Sequence, residues 1–238
     1  MPLQVVQVRN DLLSKLGIED VADATANDLQ DIAVAINTAM QVLQTAGQDY
    51  FTREELTVAL SAGTSIYNIT KDVQAVLAPI RLNNEKPLRA LDSQGQLDQY
   101  ERIFLGESGY GVGTGEPRAY WVKFLRTGAT GDVCQIQIRL APSPLTSGYI
   151  VAEVVNDAPA YTSGDLSSTD ELPVAQNYTE SIFLPLARMF ITRSAKFSRP
   201  DLRSGLISDG QTALQRLGFS GGFPNVVVPD APARETEG

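Results

Sequence analysis

The hydrophobic period changes twice along this chain, and that change most constrains its fold. Near the start, Leu29, Ile32, Ala33, Ile36, Met40 and Leu43 recur at three- and four-residue steps, the spacing that lines one face of an α-helix. From Glu55 the apolar positions alternate instead, in Glu55-Leu56-Thr57-Val58-Ala59-Leu60 and again in Ser65-Ile66-Tyr67-Asn68-Ile69. A period of two puts one face of a strand in a core and the other in water. The helical step returns with Ile182, Phe183, Leu186, Met189 and Phe190. Helices at the two ends of a chain can share one core only if the strands between them are an insertion. The expected fold class is therefore α+β: a helical bundle formed by N- and C-terminal helices, an inserted antiparallel β-sheet or barrel subdomain, and an extended C-terminal tail. The expected divisions are residues 1–50, 51–160, 161–218 and 219–238.

Local signals sharpen this outline. Val5, Val8, Leu12, Leu13 and Leu16 predict a first helix that stops at Gly17. Asn27 and Gln30 have the form of a capping box for the second helix, which Gly47 closes. The two alternating runs around Ser61-Ala62-Gly63-Thr64 predict a hairpin. Further strands are expected over Val73–Leu82, from Lys86, and over Ala119–Arg126, Val133–Leu140 and Gly148–Val155, with a short helix near 92–104. Asn177 and Glu180 suggest a second capping box, and Pro185 a kink in the helix that follows. A last helix runs through Ala213, Leu214 and Leu217 to Gly218.

Residue counts exclude several chemistries. The 238 residues contain no histidine, so neither a Ser-His-Asp nor a Cys-His triad can be built, nor a His-ligated zinc site. The single cysteine, Cys134, excludes internal disulfides and cysteine-cluster metal sites; it lies in an alternating run and reads as a small core residue. The glycines at 106, 109, 111, 113 and 115 are followed by Glu116-Pro117-Arg118 and not by the Lys-Ser or Lys-Thr of a phosphate cradle. No catalytic residue, cofactor or metal is expected. The start of the chain lacks a signal-peptide pattern and no run is long enough to span a membrane, so folding in a cytoplasm is expected; Asn68-Ile69-Thr70 and Asn177-Tyr178-Thr179 then read as a strand end and a helix cap.

The net charge of −9 argues against gripping duplex DNA through its phosphates. That charge is unevenly placed. Residues 1–60 carry nine acids against Arg9, Lys15 and Arg53, whereas residues 178–217 carry six arginines and lysines against Glu180, Asp201 and Asp209. Two helical regions of opposite sign suggest surfaces that face one another, within one subunit or between neighbours.

Several short segments follow one another in a recognisable order. Phe51-Thr52-Arg53-Glu54-Glu55-Leu56-Thr57-Val58 leads into Ala62-Gly63-Thr64-Ser65-Ile66-Tyr67-Asn68-Ile69, then Val73–Val76 and Pro87-Leu88. Gly115-Glu116-Pro117-Arg118-Ala119-Tyr120, Arg139-Leu140-Ala141-Pro142-Ser143-Pro144 and Asp170-Glu171-Leu172-Pro173 come next, and the series closes on Glu180 and Leu184-Pro185-Leu186-Ala187-Arg188-Met189. Over roughly residues 25–217 this order resembles the head–tail adaptor, or connector, proteins of tailed bacteriophages, tail tubular protein A-like. The resemblance implies a homo-oligomeric ring, commonly a dodecamer, bound beneath the portal protein at the neck of the virion and carrying the tail or nozzle protein below. DNA would pass through its lumen without specific binding, and an acidic subunit repels phosphate. It also implies that an extended C-terminal tail docks on the portal. Phe219–Gly238 is that tail here, and Phe219, Phe223, Val226, Val227 and Val228 are the candidate docking side chains, since apolar groups are costly to leave in water.

Two alternatives keep the same composition. One is another neck, tail-completion or decoration protein of a virion. The other is a carboxylate-based cell-wall hydrolase, which needs two acids about 5–10 Å apart in a cleft. No acidic pair is expected on neighbouring strands beside aromatic residues, and Trp121 is the sole tryptophan.

Overall fold

A computed structural model of the chain describes residues 3–69, 73–93, 95–96, 99, 114–126, 132–139, 141–142, 148–156, 159–194, 197 and 199–219. It is a mixed α+β structure of two compact units, one made of Met1–Thr52 with Ala158–Gly238 and the other of Arg53–Asp157.

The first unit is helical. Helix α1 (Val5–Leu16) buries Val5, Val8, Leu12, Leu13 and Leu16, and Gly17 ends it at φ +83°. There the Ile18 amide donates to the Leu13 carbonyl and the Gly17 amide to Ser14, the paired bonds of a Schellman stop. Helix α2 (Ala26–Ala46) buries Ile32, Ala33, Ile36, Met40 and Leu43, the stripe expected from spacing, while Leu29 is only half-buried. Its cap differs from the expected one. Thr25 is the N-cap and Asp28 returns the bond, the Asp28 carboxylate accepting from the Thr25 amide at 2.8 Å and the Thr25 hydroxyl at 2.7 Å. Asn27 therefore lies within the first turn. Both Thr25/Asp28 and Asn27/Gln30 satisfy the spacing, and the threonine pair places Asp28 on the inward side of the helix, where it is buried.

The returning segment begins as an extended strap. The Thr52 amide donates to Pro173, the Ala175 amide to Tyr50 and the Leu172 amide to Leu3, so residues 171–175 tie together the two ends of the first 52 residues. The expected capping box at Asn177 is absent: the N-cap position is Ala175, one helical turn covers Gln176–Tyr178, and a π-turn follows over Thr179–Phe183. Helix α3 (Leu184–Ile191) starts directly after, with Pro185 in its first turn. Proline has no amide hydrogen and its ring crowds the carbonyl four residues back, so a widened turn ahead of Pro185 accommodates it. Helix α3 buries Leu184, Leu186, Ala187, Met189, Phe190 and Ile191, and it packs against α1, α2 and helix α4 (Pro200–Arg216). The contact with α4 is close because Gly210 stands opposite Met189; a Cβ there would lie 2.5 Å from the Met189 Sδ and 2.8 Å from its Cγ.

Among its described residues the second unit holds two open, four-stranded sheets and a small two-stranded ladder. One sheet has the order β1-β10-β3-β4 and the other β2-β8-β7-β5. The strands are β1 (Arg53–Ala59), β2 (Ile66–Ile69), β3 (Val73–Leu82), β4 (Lys86–Pro87), β5 (Arg89–Ala90), β6 (Thr114–Gly115), β7 (Ala119–Arg126), β8 (Asp132–Arg139), β9 (Ala141–Pro142) and β10 (Tyr149–Asn156). Pairing is antiparallel except for β5 with β7 and β6 with β9. Among the described residues the sheets do not close into a barrel, the second form allowed by the sequence. Tyr67, Ile69, Ile80, Leu82, Ile136, Ile138, Ile150 and Val154, drawn from both sheets, bury one another in a single core.

The expected hairpin of β1 with β2 does not form. Strand β1 pairs with β10 over its whole length, from Arg53↔Val155 to Ala59↔Tyr149, and β2 pairs with β8. Both strands turn their apolar positions toward the space between the sheets, Leu56 and Val58 from one side, Tyr67 and Ile69 from the other. The Ser61–Thr64 turn thus crosses between layers. It is held there by the Tyr67 hydroxyl, which accepts from the Ser61 amide at 3.0 Å and donates to the Thr64 carbonyl at 3.0 Å. Of the helix expected near 92–104, Asp92 and Ser93 form a bend, Gly95, Gln96 and Gln99 have helical backbone, and the rest lies outside the described residues.

Candidate functional site

The groups able to carry chemistry are few. Cys134 is 2% exposed on β8, and burial pushes its thiol up to about 11. A thiolate is the reactive form, so this cysteine is a packed core atom. We expect the native chain at pH 8 to react with an aromatic disulfide reagent on the order of a hundred-fold more slowly than the unfolded chain, because far less of its thiol is ionised. Equal rates in native buffer and in denaturant would show that Cys134 is accessible. Among the described residues no group of three or more cysteines and carboxylates could hold a metal ion.

One acidic pair does stand on neighbouring strands, though not beside aromatic residues. Glu55 and Glu153 are register partners across β1 and β10, in a shallow groove also lined by Arg53, Arg81, Pro79 and Val151. Arg53 Nη1 lies 3.4 Å from Glu153 Oε1, and both side chains are about half exposed. A general acid for sugar cleavage needs a carboxyl held protonated by apolar surroundings. Here the half-exposed pair shares the groove with two guanidiniums, and among the described residues no aromatic ring lines it to stack a sugar. This is the pattern of a solvated sheet face.

The charge asymmetry is resolved in part within the helical unit. Arg188 on α3 grips Asp11 on α1 with two parallel bonds, Nε to Oδ2 at 2.7 Å and Nη2 to Oδ1 at 2.8 Å. Both side chains are largely shielded, at 30% and 23% exposure, which makes this pair stronger than a typical surface bridge. Asp31 on α2 accepts from the Ser194 hydroxyl at 2.5 Å. The acidic and basic regions thus meet in one chain, through residues that charge counting alone could not single out.

Of the candidate docking residues, Phe219 alone is described. It is half-buried just past α4, where its amide donates to Leu214 at 3.0 Å and Gly218, at φ +85°, donates to Gln215. This is the same Schellman stop that ends α1, and in such stops the residue after the glycine packs back on the helix. Phe223, Val226, Val227 and Val228 lie outside the described residues. Three features had no clear sequence signal: the close approach at Gly210, the 171–175 strap, and the exposed turn at Val21–Asp23 that follows α1. No family model matches the chain, and no curated protein matches it either.

Proposed function

We propose that this chain is a non-enzymatic head–tail adaptor of a tailed phage, assembling as a ring beneath the portal and leaving a conduit for DNA. The observation that carries this reading is the ordered series of segments from Phe51 to Met189. The architecture supports it: chain ends contribute one helical unit, and the β unit is inserted between them. In this reading α1–α4 form a bundle, the helical unit and the β unit both contribute to the ring wall, and the tail beyond α4 docks on the portal. The absence of histidine and the buried, protonated Cys134 are consistent with a protein that works through surfaces.

The test is the mass of the purified chain, alone and mixed with the portal of its own phage. Assembly into a ring on portal addition supports the adaptor reading. A chain that ignores portal sinks it, and binding to capsid shell or to cell-wall sugar would then point to a decoration protein or a hydrolase. The docking role of the tail has its own check. Deleting residues 220–238 spares the Phe219 stop, so the truncated chain should keep its helical signal and its melting temperature. Its attachment to portal should weaken at least about ten-fold if Phe223 and Val226–Val228 supply buried anchors. Unchanged attachment would remove the tail from the interface.

A further inference from the structure

Helix α4 is fully buried at one end only. Its buried residues are Gly210, Ala213 and Leu214, all in the C-terminal half. In the first ten residues, Pro200–Asp209, no side chain is fully buried; Leu202, Leu206 and Ile207 are partly buried, and Arg203 among them is exposed. Leu202 and Leu206 continue the stripe that Gly210 and Ala213 bury, at four- and three-residue steps. The packed face of α4 therefore runs on as a partly covered apolar strip edged by an exposed cation.

A complementary feature stands nearby on the same unit. Glu19, Asp20, Val21, Ala22 and Asp23 are five consecutive exposed residues, and Val21, 37% exposed, is among the few large apolar side chains left in water. The intrachain pairs do not use these acids: Asp11 is taken by Arg188 and Asp31 by Ser194. Among the described residues Glu19, Asp23 and Arg203 form no ion pair, and Arg199 has only a 3.9 Å contact with Asp201. What intrachain pairing leaves over is one apolar spot ringed by acids and one apolar strip flanked by arginines. They adjoin, because the Arg199 side chain lies against Gly17, the residue that leads into the acidic turn.

We infer that this surface is a self-association site, occupied by a second copy of the chain related by a two-fold axis. Two adjoining patches of opposite sign, each with an apolar centre, meet their complements when a copy is turned by half a rotation: Val21 and its acids over Leu202, Leu206 and Arg203, and the reverse. A ring needs a head-to-tail contact between different surfaces, so this pairing belongs to the free chain and goes beyond the adaptor reading. The patches are small, which puts the affinity in the micromolar range, and the charges make it fall with salt.

Sedimentation of the full chain at low ionic strength and at about 0.5 M salt tests this. The expected result is a monomer–dimer equilibrium that stops at two and weakens in salt. Arg203→Glu should raise the dissociation constant at least about ten-fold, as should Glu19→Lys with Asp23→Lys, because each places like charges in contact. Mixing the two variants should restore pairing, since their altered charges complement one another. Far-UV circular dichroism verifies that both are folded; all three positions are exposed. A wild-type chain that remains monomeric at low salt overturns the inference. Equal dimerisation by Arg203→Glu overturns it too, and so does a species that grows past two. Ring formation on portal is read separately, so the adaptor proposal stands or falls independently.

Discussion

Replacing Gly210 by leucine should unfold the helical unit at a markedly lower temperature, with a loss on the order of 3 kcal/mol. The added side chain would enter space already filled by Met189, whose own Cβ is the nearest atom to a Cβ built at Gly210. A flexible thioether end can swing away, but a Cβ moves only with its helix, so α3 and α4 must separate. That separation exposes apolar side chains on both helices, Phe190 on α3 and Ala213 and Leu214 on α4, all buried. Gly210→Ala is a sharper test because alanine is the better helix former by about 1 kcal/mol. It should nonetheless destabilise, by roughly 1–2 kcal/mol net, since overpacking costs more than propensity returns. Adding Met189→Ala should give only partial rescue, because it removes the crowded Sδ and Cγ but keeps the Cβ. Chemical denaturation of the four chains, followed by helical circular dichroism, measures these values. A Gly210→Ala chain as stable as wild type, or full rescue by Met189→Ala, would show that only the tip of the methionine is crowded.

Removing Arg188 should cost about 2 kcal/mol, less than the leucine insertion but more than other surface charges. Its two bonds to Asp11 tie α3 to α1, and Arg188→Ala leaves that shielded carboxylate with Lys15 alone, 3.9 Å away. Arg188→Lys should recover less than half, since an ammonium cannot make both parallel bonds. Asp11→Asn in the Arg188→Ala chain should cost little more than the single change, because the carboxylate that was stranded is gone. Urea midpoints for the pair and for each single variant decide the matter. Additive losses would mean that the two residues act separately, against the bidentate geometry.

Spacing made the elements legible more readily than their partners. The stripe of α2 and the limits of β3 and β7 follow from period alone, because burial of one helix or strand face is a local demand. Pairing is not local. The runs around Leu56 and Tyr67 carry every mark of a hairpin, yet each found a longer partner in a different sheet, and the choice between layers rests on the whole core. Caps failed for a related reason. Thr25 and Asn27 both stand at the start of the same apolar stripe, and what separates them is which residue three positions on turns inward. The candidate surfaces divide the same way. Charge counts revealed opposing regions, but not that Arg188 and Asp11 would engage while Arg203 and Glu19 would be left over. The Gly210 contact left no trace in sequence, since a glycine inside a helix reads as a weakness until its neighbour is seen.

The ladder between β1 and β10 joins the first and last strands described in the inserted unit, so Arg53 and Val155, far apart in the chain, are register partners. The insert thus has its entrance and exit side by side, like a drawer on a single pair of runners. On the helical side the matching seam is the bridge between Phe51 and Val174. Each body is topologically self-contained, and neither has to thread through the other to fold. A lineage carrying such a chain can lengthen, shorten or exchange one body while the other retains its own core, and surfaces on the two can change at different rates.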